Sequence, residues 1–201
     1  SGDLMIGAGL GSNEMYGGGG NDIMFGAGLV FNEMHGGDHG DVMVGLGGFN
    51  EMHGDAGVDI LLGAGIDNEI HGGSSGDLAV GVGAWNEISL DGGNDLGIGA
   101  GFRNTLRGGA GGDFLVGLDQ RVEIGEETFD IADVNLSLLQ RFTATHIDGD
   151  AGTDVLLGFS SENRLNGGDA NDVLLGGGSR SVFTGGSGGD VLIGLHGRMT
   201  L

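Results

Sequence analysis

The chain of 201 residues contains no cysteine, no proline and no lysine, and only 5% of its residues are aromatic. Without cysteine it has neither a disulfide framework nor a thiolate metal site. The absence of proline beside 50 glycines indicates a recurring backbone requirement for glycine that excludes proline. Collagen is excluded, because glycine does not fall at every third position. Disorder is excluded as well, because 38% of the residues are hydrophobic and occur in regular short runs.

Basic residues are also scarce: seven arginines stand against 29 acidic residues, and the formal net charge is −22 at pH 7. No arginine precedes Arg103, so residues 1–102 hold 15 carboxylates without a basic partner. A compact fold tolerates such repulsion only if cations neutralise it, which makes calcium the first candidate. The acidity argues against nucleic acid and anionic lipid as partners. No run approaches 18 apolar residues and no basic segment precedes an apolar one at the N-terminus, so we expect neither a membrane span nor a signal peptide.

A repeat dominates the chain. Aspartate recurs every 18 or 19 residues, apart from one interval of 41 between Asp113 and Asp154. An asparagine falls nine or ten residues after most of these aspartates, so that the unit is an 18-residue pair of half-repeats. The Asp half reads GDAGVDILL at 54–62, and the Asn half reads GLGGFNEMH at 45–53.

The Asp half resembles the glycine-rich nonapeptide GGxGxDxUx of RTX (repeats-in-toxin) proteins, in which U is a large apolar residue. The resemblance covers nearly the whole chain. The Gly-x-x-Asn half-repeats, as at 47–50 and 65–68, are similar more specifically to the C-terminal repeats of the multifunctional autoprocessing RTX toxins. The resemblance implies a calcium-binding β-roll in a protein that is exported by type I secretion and acts at the host cell surface.

We expect an all-β fold, a right-handed parallel β-roll or β-solenoid in which two half-repeats form one coil. Three apolar positions per half-repeat suit a very short strand, and six glycine-rich residues suit a tight turn. Roughly ten coils at the strand spacing of about 4.8 Å would give a length of about 47 Å. The middle strand position, as in Met24 and Leu61, should face the core, and Ala79 and Gly97 in the same column predict a locally thin core.

The long interval marks an insertion. Residues 1–118 and 146–201 are expected to be coils of one solenoid, with residues 119–145 inserted between them. Within the insertion, apolar residues of 126–142 lie near helical spacing, which predicts a helix packed on the roll.

The RTX resemblance further implies that the last Asp of each turn and the early carbonyl groups share Ca²⁺ with the next coil. On the Asp side this gives one row of several calcium ions. On the Asn side a neutral amide replaces the carboxylate, so we expect a ladder of amide side chains there. An alternative remains open, in which the aspartates only cap the turns through backbone amides. His39, Ser75 and Ala170 replace the fourth-position glycine and Leu90 replaces the first, which should weaken some sites. The implied ligands are Asp22, Asp41, Asp59, Asp77, Asp95, Asp113, Asp154, Asp172 and Asp190, with the carbonyl groups of Gly36, Gly54, Gly72, Gly108, Gly149 and Gly167.

The two outward faces differ in character. The Asn side presents columns of Glu and His, whereas both outward columns of the Asp side are apolar. Soluble proteins rarely leave such a strip uncovered, so we expect the insertion, a second copy of the chain or an adjacent region of the toxin to pack on it.

Aromatic residues occupy one turn column just before the asparagines. Phe31, Phe49 and Trp85 fall in this column, with Asp67 and Arg103 in line. Exposed aromatic residues beside hydrogen-bonding groups commonly hold a sugar face or anchor a protein. The alternative is that they shield the edge of the core.

An enzyme is the least favoured class, because the chain contains no GxSxG, HExxH or GKS/T motif. We expect a non-catalytic calcium-binding module of a large secreted bacterial toxin. It would fold on Ca²⁺ after type I secretion and bind a glycan or protein of the host cell surface. The alternative is a passive calcium-stabilised spacer of an RTX toxin or adhesin.

Overall fold

The computed structural model describes residues 1–119, 144–178, 180–195 and 198–200. These residues form strands and turns without any helix. Strands of the Asp side are β1 (Leu4–Gly9), β3 (Ile23–Gly28), β5 (Val42–Leu46), β7 (Ile60–Ala64), β11 (Phe114–Asp119), β13 (Val155–Gly158), β15 (Val173–Gly176) and β17 (Val191–Gly194). Strands of the Asn side are β2 (Ser12–Gly19), β4 (Phe31–Asp38), β6 (Phe49–Ala56), β8 (Asp67–Ser74), β12 (Ala144–Ala151), β14 (Glu162–Asp169), β16 (Val182–Ser187) and β18 (Arg198–Thr200). The two longest strands, β9 (Leu78–Ser89) and β10 (Leu96–Ala110), run through both sides.

The strands stack as a parallel solenoid. Each Asp-side strand pairs in parallel with the Asp-side strand of the next coil, and the Asn side follows the same rule. Equivalent repeat positions are in register, as in Met24 opposite Met43 and Asn50 opposite Asn68. Each side has ten strand levels in the described residues, joined by nine coil-to-coil steps. The predicted all-β parallel solenoid of 18-residue coils is therefore confirmed.

The strands are longer than the three residues expected from the apolar pattern. Most span four to eight residues, and β10 spans fifteen. Parallel hydrogen bonding continues through the glycine-rich segments, because neighbouring coils follow the same path and keep their backbones within pairing distance. Glycine-rich sequence therefore does not interrupt the ladder here.

The core is a double row of inward side chains, one from each side of every coil. The middle strand positions are buried as predicted, and most of them are fully inaccessible to solvent. The cluster consists of Met15, Met24, Met34, Met43, Met52, Leu61, Ile70, Ala79, Ile88, Leu90, Leu106, Leu115, Ile147, Leu156, Leu165, Leu174 and Phe183.

Leu90 fills the core where small residues would leave it thin. Its side chain is fully buried, although it occupies the turn position that is glycine in most other coils. A methyl group built on Gly97 would lie 3.0 Å from Leu90 Cδ1 and 2.9 Å from Leu115 Cδ2. The space left by Ala79 and Gly97 is thus occupied from the turn, a compensation that the column pattern did not predict.

The insertion begins after β11 and ends at β12. Asp113 and Asp154 are nevertheless stacked neighbours, since the Val155 backbone N–H donates to the Asp113 carbonyl at 2.8 Å. The Asp-side strands on the two sides of the insertion therefore stack directly on each other. The predicted helix at 126–142 lies outside the described residues.

Candidate metal centre

One column of buried aspartates runs along the solenoid where each turn enters an Asp-side strand. Their side chains are at most 4% exposed from Asp22 to Asp172. One carboxylate oxygen, Oδ1, accepts a hydrogen bond from the backbone N–H of the aspartate in the preceding coil. The Asp41 N–H, for example, donates to Asp59 Oδ1 at 2.7 Å, and the Asp59 N–H donates to Asp77 Oδ1 at 2.8 Å. This bond joins adjacent coils, whereas turn capping would use backbone amides of the same turn.

The second oxygen, Oδ2, is left without a partner. In eight consecutive aspartates of the column this atom is buried and accepts no hydrogen bond from any described residue. An unsatisfied buried carboxylate oxygen is strongly unfavourable, because the group has lost its water shell without replacement. The eight residues are Asp22, Asp41, Asp59, Asp77, Asp95, Asp113, Asp154 and Asp172.

Backbone carbonyl oxygens converge on the same points. A methyl group built on Gly149 would lie 2.5 Å from both Asp154 Oδ2 and the Gly167 carbonyl oxygen of the next coil. The Gly36, Gly54 and Gly72 carbonyl oxygens approach Asp22, Asp41 and Asp59 in the same way. Each of these turns therefore forms a cradle in which a carboxylate and a carbonyl oxygen of adjacent coils face one space, and the glycine leaves that space open.

Two other predicted carbonyl residues, Gly108 and Gly149, occupy the equivalent turn position beside Asp113 and Asp154. The repeat pattern missed two carbonyl groups. The Gly185 carbonyl oxygen lies beside Asp172, and that of Leu90 lies 3.1 Å from a methyl group built on Gly72, next to Asp77. Because a carbonyl group belongs to the backbone, the replacement of glycine by leucine preserves this oxygen.

The other departures from the repeat also preserve the turn. His39, Ser75 and Ala170 adopt φ angles of 79°, 87° and 79°, in the left-handed region that the equivalent glycines favour. These residues therefore follow the same backbone path at some conformational strain.

Burial raises the pKa values of the column. Desolvation, with a further contribution from neighbouring carboxylates, raises the pKa of Asp77 to about 7 and those of Asp59, Asp95 and Asp154 to about 6. The pKa values of Asp41, Asp113 and Asp172 are raised for the same principal reason. Without a counter-ion the column thus resists full ionisation at neutral pH.

The donor set fits a hard divalent cation. Among the described residues, no three His, Cys, Asp or Glu side chains meet at one point, so backbone oxygens must complete any site. Calcium accepts six to eight oxygen ligands, including carbonyl groups, whereas zinc prefers nitrogen and sulfur. The orphan Oδ2 atoms and the glycine cradles are therefore suited to calcium.

The Asn column forms a separate ladder of amide side chains. From Asn13 to Asn86, each Asn of the column donates its Nδ2–H to the Asn Oδ1 atom of the next coil, at 2.8 Å from Asn68 to Asn86 and at 2.8 Å from Asn86 to Asn104. The ladder runs unbroken from Asn13 to Asn104. Neutral amides both donate and accept, so this side needs no metal to satisfy its buried polar groups.

The outward face of the Asn side carries a stack of rings. Tyr16, His35, His53 and His71 lie nearly parallel, with ring centroids 4.6–4.9 Å apart. Each histidine Nε2 lies 3.2–3.3 Å from the glutamate two residues earlier. Sequence reasoning did not place Tyr16 in this stack, because the column was defined by its histidines and Tyr16 stands at the equivalent position of an earlier coil. The half-exposed stack is a polar, solvated face rather than part of the aspartate column.

The aromatic turn column lies directly before the asparagine column. Phe31, Phe49, Asp67, Trp85 and Arg103 are in register in successive coils. Phe49 and Trp85 are 45% and 42% exposed, so their rings are accessible. Sequence reasoning missed two further exposed aromatic residues near this corner, which lie outside the column: Phe102 and Phe159.

A parallel β-solenoid with a buried column of half-satisfied carboxylates and open carbonyl cradles defines a class, the cation-binding solenoids. A family model, the RTX calcium-binding nonapeptide repeat (4 copies), matches residues 8–28, 35–65, 89–121 and 166–197, which together exceed half of the chain. The chain belongs to this RTX calcium-binding repeat family. No curated protein and no solved structure gives a significant match.

Membership of the family defines the general type of module. RTX β-rolls are typically non-catalytic structural units that bind calcium and occur in secreted proteins. The described part of the chain contains no helix long and apolar enough to cross a membrane.

Proposed function

We propose that the aspartate column binds a row of calcium ions between successive coils. The ligands would be Oδ2 of the nine predicted aspartates, Asp22 to Asp190, together with the turn carbonyl groups of Gly36, Gly54, Gly72, Gly108, Gly149 and Gly167. The observation that carries this assignment is the series of eight buried Oδ2 atoms without a hydrogen-bond partner, several of them facing a carbonyl oxygen of the next coil. When bound, calcium would supply the missing positive charge and link adjacent coils.

The charge of the chain supports the same assignment. About eight Ca²⁺ would reduce the net charge from −22 to about −6. The N-terminal half has carboxylates but no arginine, so bound cations would remove the repulsion that opposes its compact fold.

Asp77→Asn tests the role of the orphan oxygen. Asparagine keeps Oδ1, which accepts the Asp59 N–H at 2.8 Å, and replaces Oδ2 with an NH₂ group. We expect the variant to be more stable than wild type in chelator, because a buried charge is removed. In calcium the order should reverse, with a titration midpoint raised roughly 3- to 10-fold and fewer ions bound by calorimetry.

Glu69→Gln is the matched control, because it removes one carboxylate from the exposed face of the Asn side. It should change neither the midpoint nor the number of bound ions. An Asp77→Asn variant that bound calcium like wild type would limit the role of the aspartates to the hydrogen bonds that join adjacent coils.

We further propose that the module belongs to a large secreted toxin similar to the multifunctional autoprocessing RTX toxins. It would remain unfolded where calcium is scarce, fold outside the cell after type I secretion, and serve at the host cell surface. Metal-coupled folding supports this order of events, since ligand binding to the folded state alone stabilises that state by mass action.

The aromatic turn column is the proposed receptor site. Phe31, Phe49 and Trp85 would present ring faces to a surface glycan or protein, with Asp67 and Arg103 as hydrogen-bonding neighbours. Ring accessibility and the register of the column support this assignment.

Trp85→Ala tests the receptor site in the calcium-loaded module, by glycan screening and by binding to host cells. We expect a loss of at least about 10-fold in affinity, because a buried aromatic anchor typically contributes this much. Phe159→Ala, which removes another exposed ring outside the column, should bind normally. Undiminished binding by Trp85→Ala would refute the site, and no binding of wild type to any cell surface would favour the passive spacer.

A further inference from the structure

The outward face of the Asp side is apolar from end to end. Two residues of each Asp-side strand point outward, and at all ten described levels both are aliphatic or phenylalanine. We call these two columns the apolar face. The first column contains Leu4, Ile23, Val42, Ile60, Leu78, Leu96, Phe114, Val155, Val173 and Val191, and the second contains Ile6, Phe25, Val44, Leu62, Val80, Ile98, Val116, Leu157, Leu175 and Ile193.

Much of this face is open to solvent. Ile23 and Val191, near the two ends, are 53% and 50% exposed, and Ile60 and Phe114, nearer the middle, are 38% and 41% exposed. The adjoining corner adds Leu46, Val82 and Leu118, which are also exposed. Large uncovered apolar patches are rare on isolated soluble proteins and mark interaction surfaces.

Charged side chains of the described coils are segregated from this face. Glutamates and histidines occupy the outward columns of the opposite sheet, at Glu33, Glu51 and Glu69 for example, and other carboxylates lie in the turns. Packed sheets lie about 10 Å apart. Charges on the far sheet are therefore at least about 10 Å from a molecule docked on the apolar face.

The face also lacks groups that could recognise a polar partner. Apart from β1 and β17 at the two ends of the stack, its strands are central members of a continuous parallel ladder, with backbone N–H and C=O groups paired along the stack. An added strand therefore has nothing to pair with here. What the face offers is a regular ridge-and-groove surface that repeats at the strand spacing of about 4.8 Å.

We propose that the apolar face is the interface between two copies of this chain. A second copy presents ridges with the same repeat, so that they interdigitate with the grooves along the full length. The Glu and His columns of both copies then lie on the remote sides, and the aspartate column beside the face is neutralised by the proposed calcium, on which this inference rests. With the corner residues, the surface measures ~45 Å by ~18 Å, or ~800 Å² per molecule, the size of a standard stable interface.

Sedimentation of the calcium-loaded chain tests this inference, with circular dichroism as the check on folding. We expect wild type to be a dimer at micromolar concentration. Ile60→Lys combined with Leu62→Lys places two charges in the face and should weaken dimerisation roughly 100-fold. Glu69→Lys combined with His71→Lys places two lysines on the opposite side of the same coil and should leave the dimer intact.

Cross-linking gives a second readout, because the chain has no cysteine of its own. Val80→Cys lies on the apolar face near the middle of the solenoid, and Glu87→Cys lies on the opposite side of the same coil. A short bis-maleimide should join two copies of the Val80→Cys variant and none of the Glu87→Cys variant.

Three outcomes would overturn the inference. One is a wild type that is still monomeric at a concentration on the order of 100 µM. Another is a dimer that persists in the variant with Ile60→Lys and Leu62→Lys. The third is a monomer that dimerises only when residues 120–143 are replaced by one glycine, which would identify that segment as the cover of the face. Because folding is followed separately, a failure to dimerise is distinguishable from a failure to bind calcium.

Discussion

At the scale of single residues, the two oxygens of each column aspartate have different roles. Oδ1 joins the coils through a backbone N–H, as between Asp77 and Asp95 at 2.7 Å, and this bond forms without any metal. Oδ2 gains nothing from the protein and becomes favourable only with a cation. In the folded chain, Oδ1 therefore contributes to the register of the coils with or without metal. Oδ2 contributes to stability only when a positive charge is present.

The pH dependence of stability follows from the raised pKa values. In the metal-free chain the pKa of Asp77 is about 7 and that of Asp59 about 6, whereas an unfolded aspartate titrates near 3.9. The folded state consequently binds more protons than the unfolded state between about pH 4 and pH 7, and its stability falls as the pH rises through this window. We expect the calcium-free chain to be more stable at pH 5 than at pH 8.

With calcium the trend should reverse, because protons compete with the metal for the same carboxylates. The folded fraction, followed by circular dichroism at pH 5 and pH 8 with and without calcium, measures both trends. A calcium-free chain that gained stability on raising the pH would contradict the assignment of buried, unpaired carboxylates.

For Leu90, the structure and the repeat pattern predict opposite effects of substitution by glycine. Leu90→Gly restores the glycine found in most other turns, and the column pattern alone favours it. In the structure, however, the Leu90 side chain fills the space beside Ala79 and Gly97. We expect the variant to lose about 3–5 kcal/mol in calcium, because a fully buried leucine is removed from the core. Chemical unfolding measures the loss, and Leu90→Met, which conserves volume, should lose less than about 1.5 kcal/mol.

At the scale of elements, the insertion coincides with a break in the amide ladder. Thr145 occupies the register position after Asn104, and its hydroxyl pairs with that of Ser160 at 2.5 Å. Asn104 still donates to the Leu118 carbonyl at 3.0 Å, as Asn86 does to the Ala100 carbonyl at 3.2 Å. The aspartate column continues across the same level, with the Asp113 N–H donating to Asp154 Oδ1 at 2.8 Å. The insertion thus interrupts one ladder and spares the other.

Removal of the insertion should preserve the solenoid. Replacing residues 120–143 with one glycine shortens the interval between Asp113 and Asp154 to the ordinary 18 residues. Since Asp119 and Ala144 would then be joined as equivalent residues are in other coils, we expect the variant to fold with wild-type β content and calcium response. Circular dichroism and a calcium titration check this. A variant that no longer folded in calcium would show that the insertion is required for stacking.

At the scale of the whole molecule, the solenoid separates polar from apolar residues both in its interior and between its two outward sides. Its interior has an apolar core and two polar columns, one outward side is apolar and the other carries Glu, His and Tyr. In the described residues, the Asp side combines buried carboxylates that lack a positive partner with open cradles. Calcium bound there would link each coil to the next.

Calcium should therefore control folding cooperatively. We expect the metal-stripped chain to gain β signal in far-UV circular dichroism at submillimolar to millimolar Ca²⁺. Mg²⁺ should fail to produce it, because the smaller ion demands a near-octahedral site at shorter distances. A chain already folded in chelator would make calcium secondary and leave the core and the amide ladder as the stabilising elements.

Most of the fold was predictable, because a strict 18-residue period makes every coil a copy of its neighbour. The period places Met43 on Met24 and Asn68 on Asn50 without reference to distant sequence. Four of the predicted carbonyl groups, including those of Gly36 and Gly167, face the same space as an aspartate Oδ2 atom, and their binding of calcium stays a prediction. The length of the strands was not predictable, since pairing through glycine depends on the neighbouring coil.

The sequence by itself determined the period, the register, the composition of each column and the accumulation of unpaired negative charge. Only the tertiary structure decided which carboxylate oxygen is used, where the Leu90 side chain lies and where the amide ladder ends. The reason is physical: register depends on spacing along one chain, whereas the direction of a side chain depends on atoms of adjacent coils, 18 or more residues away.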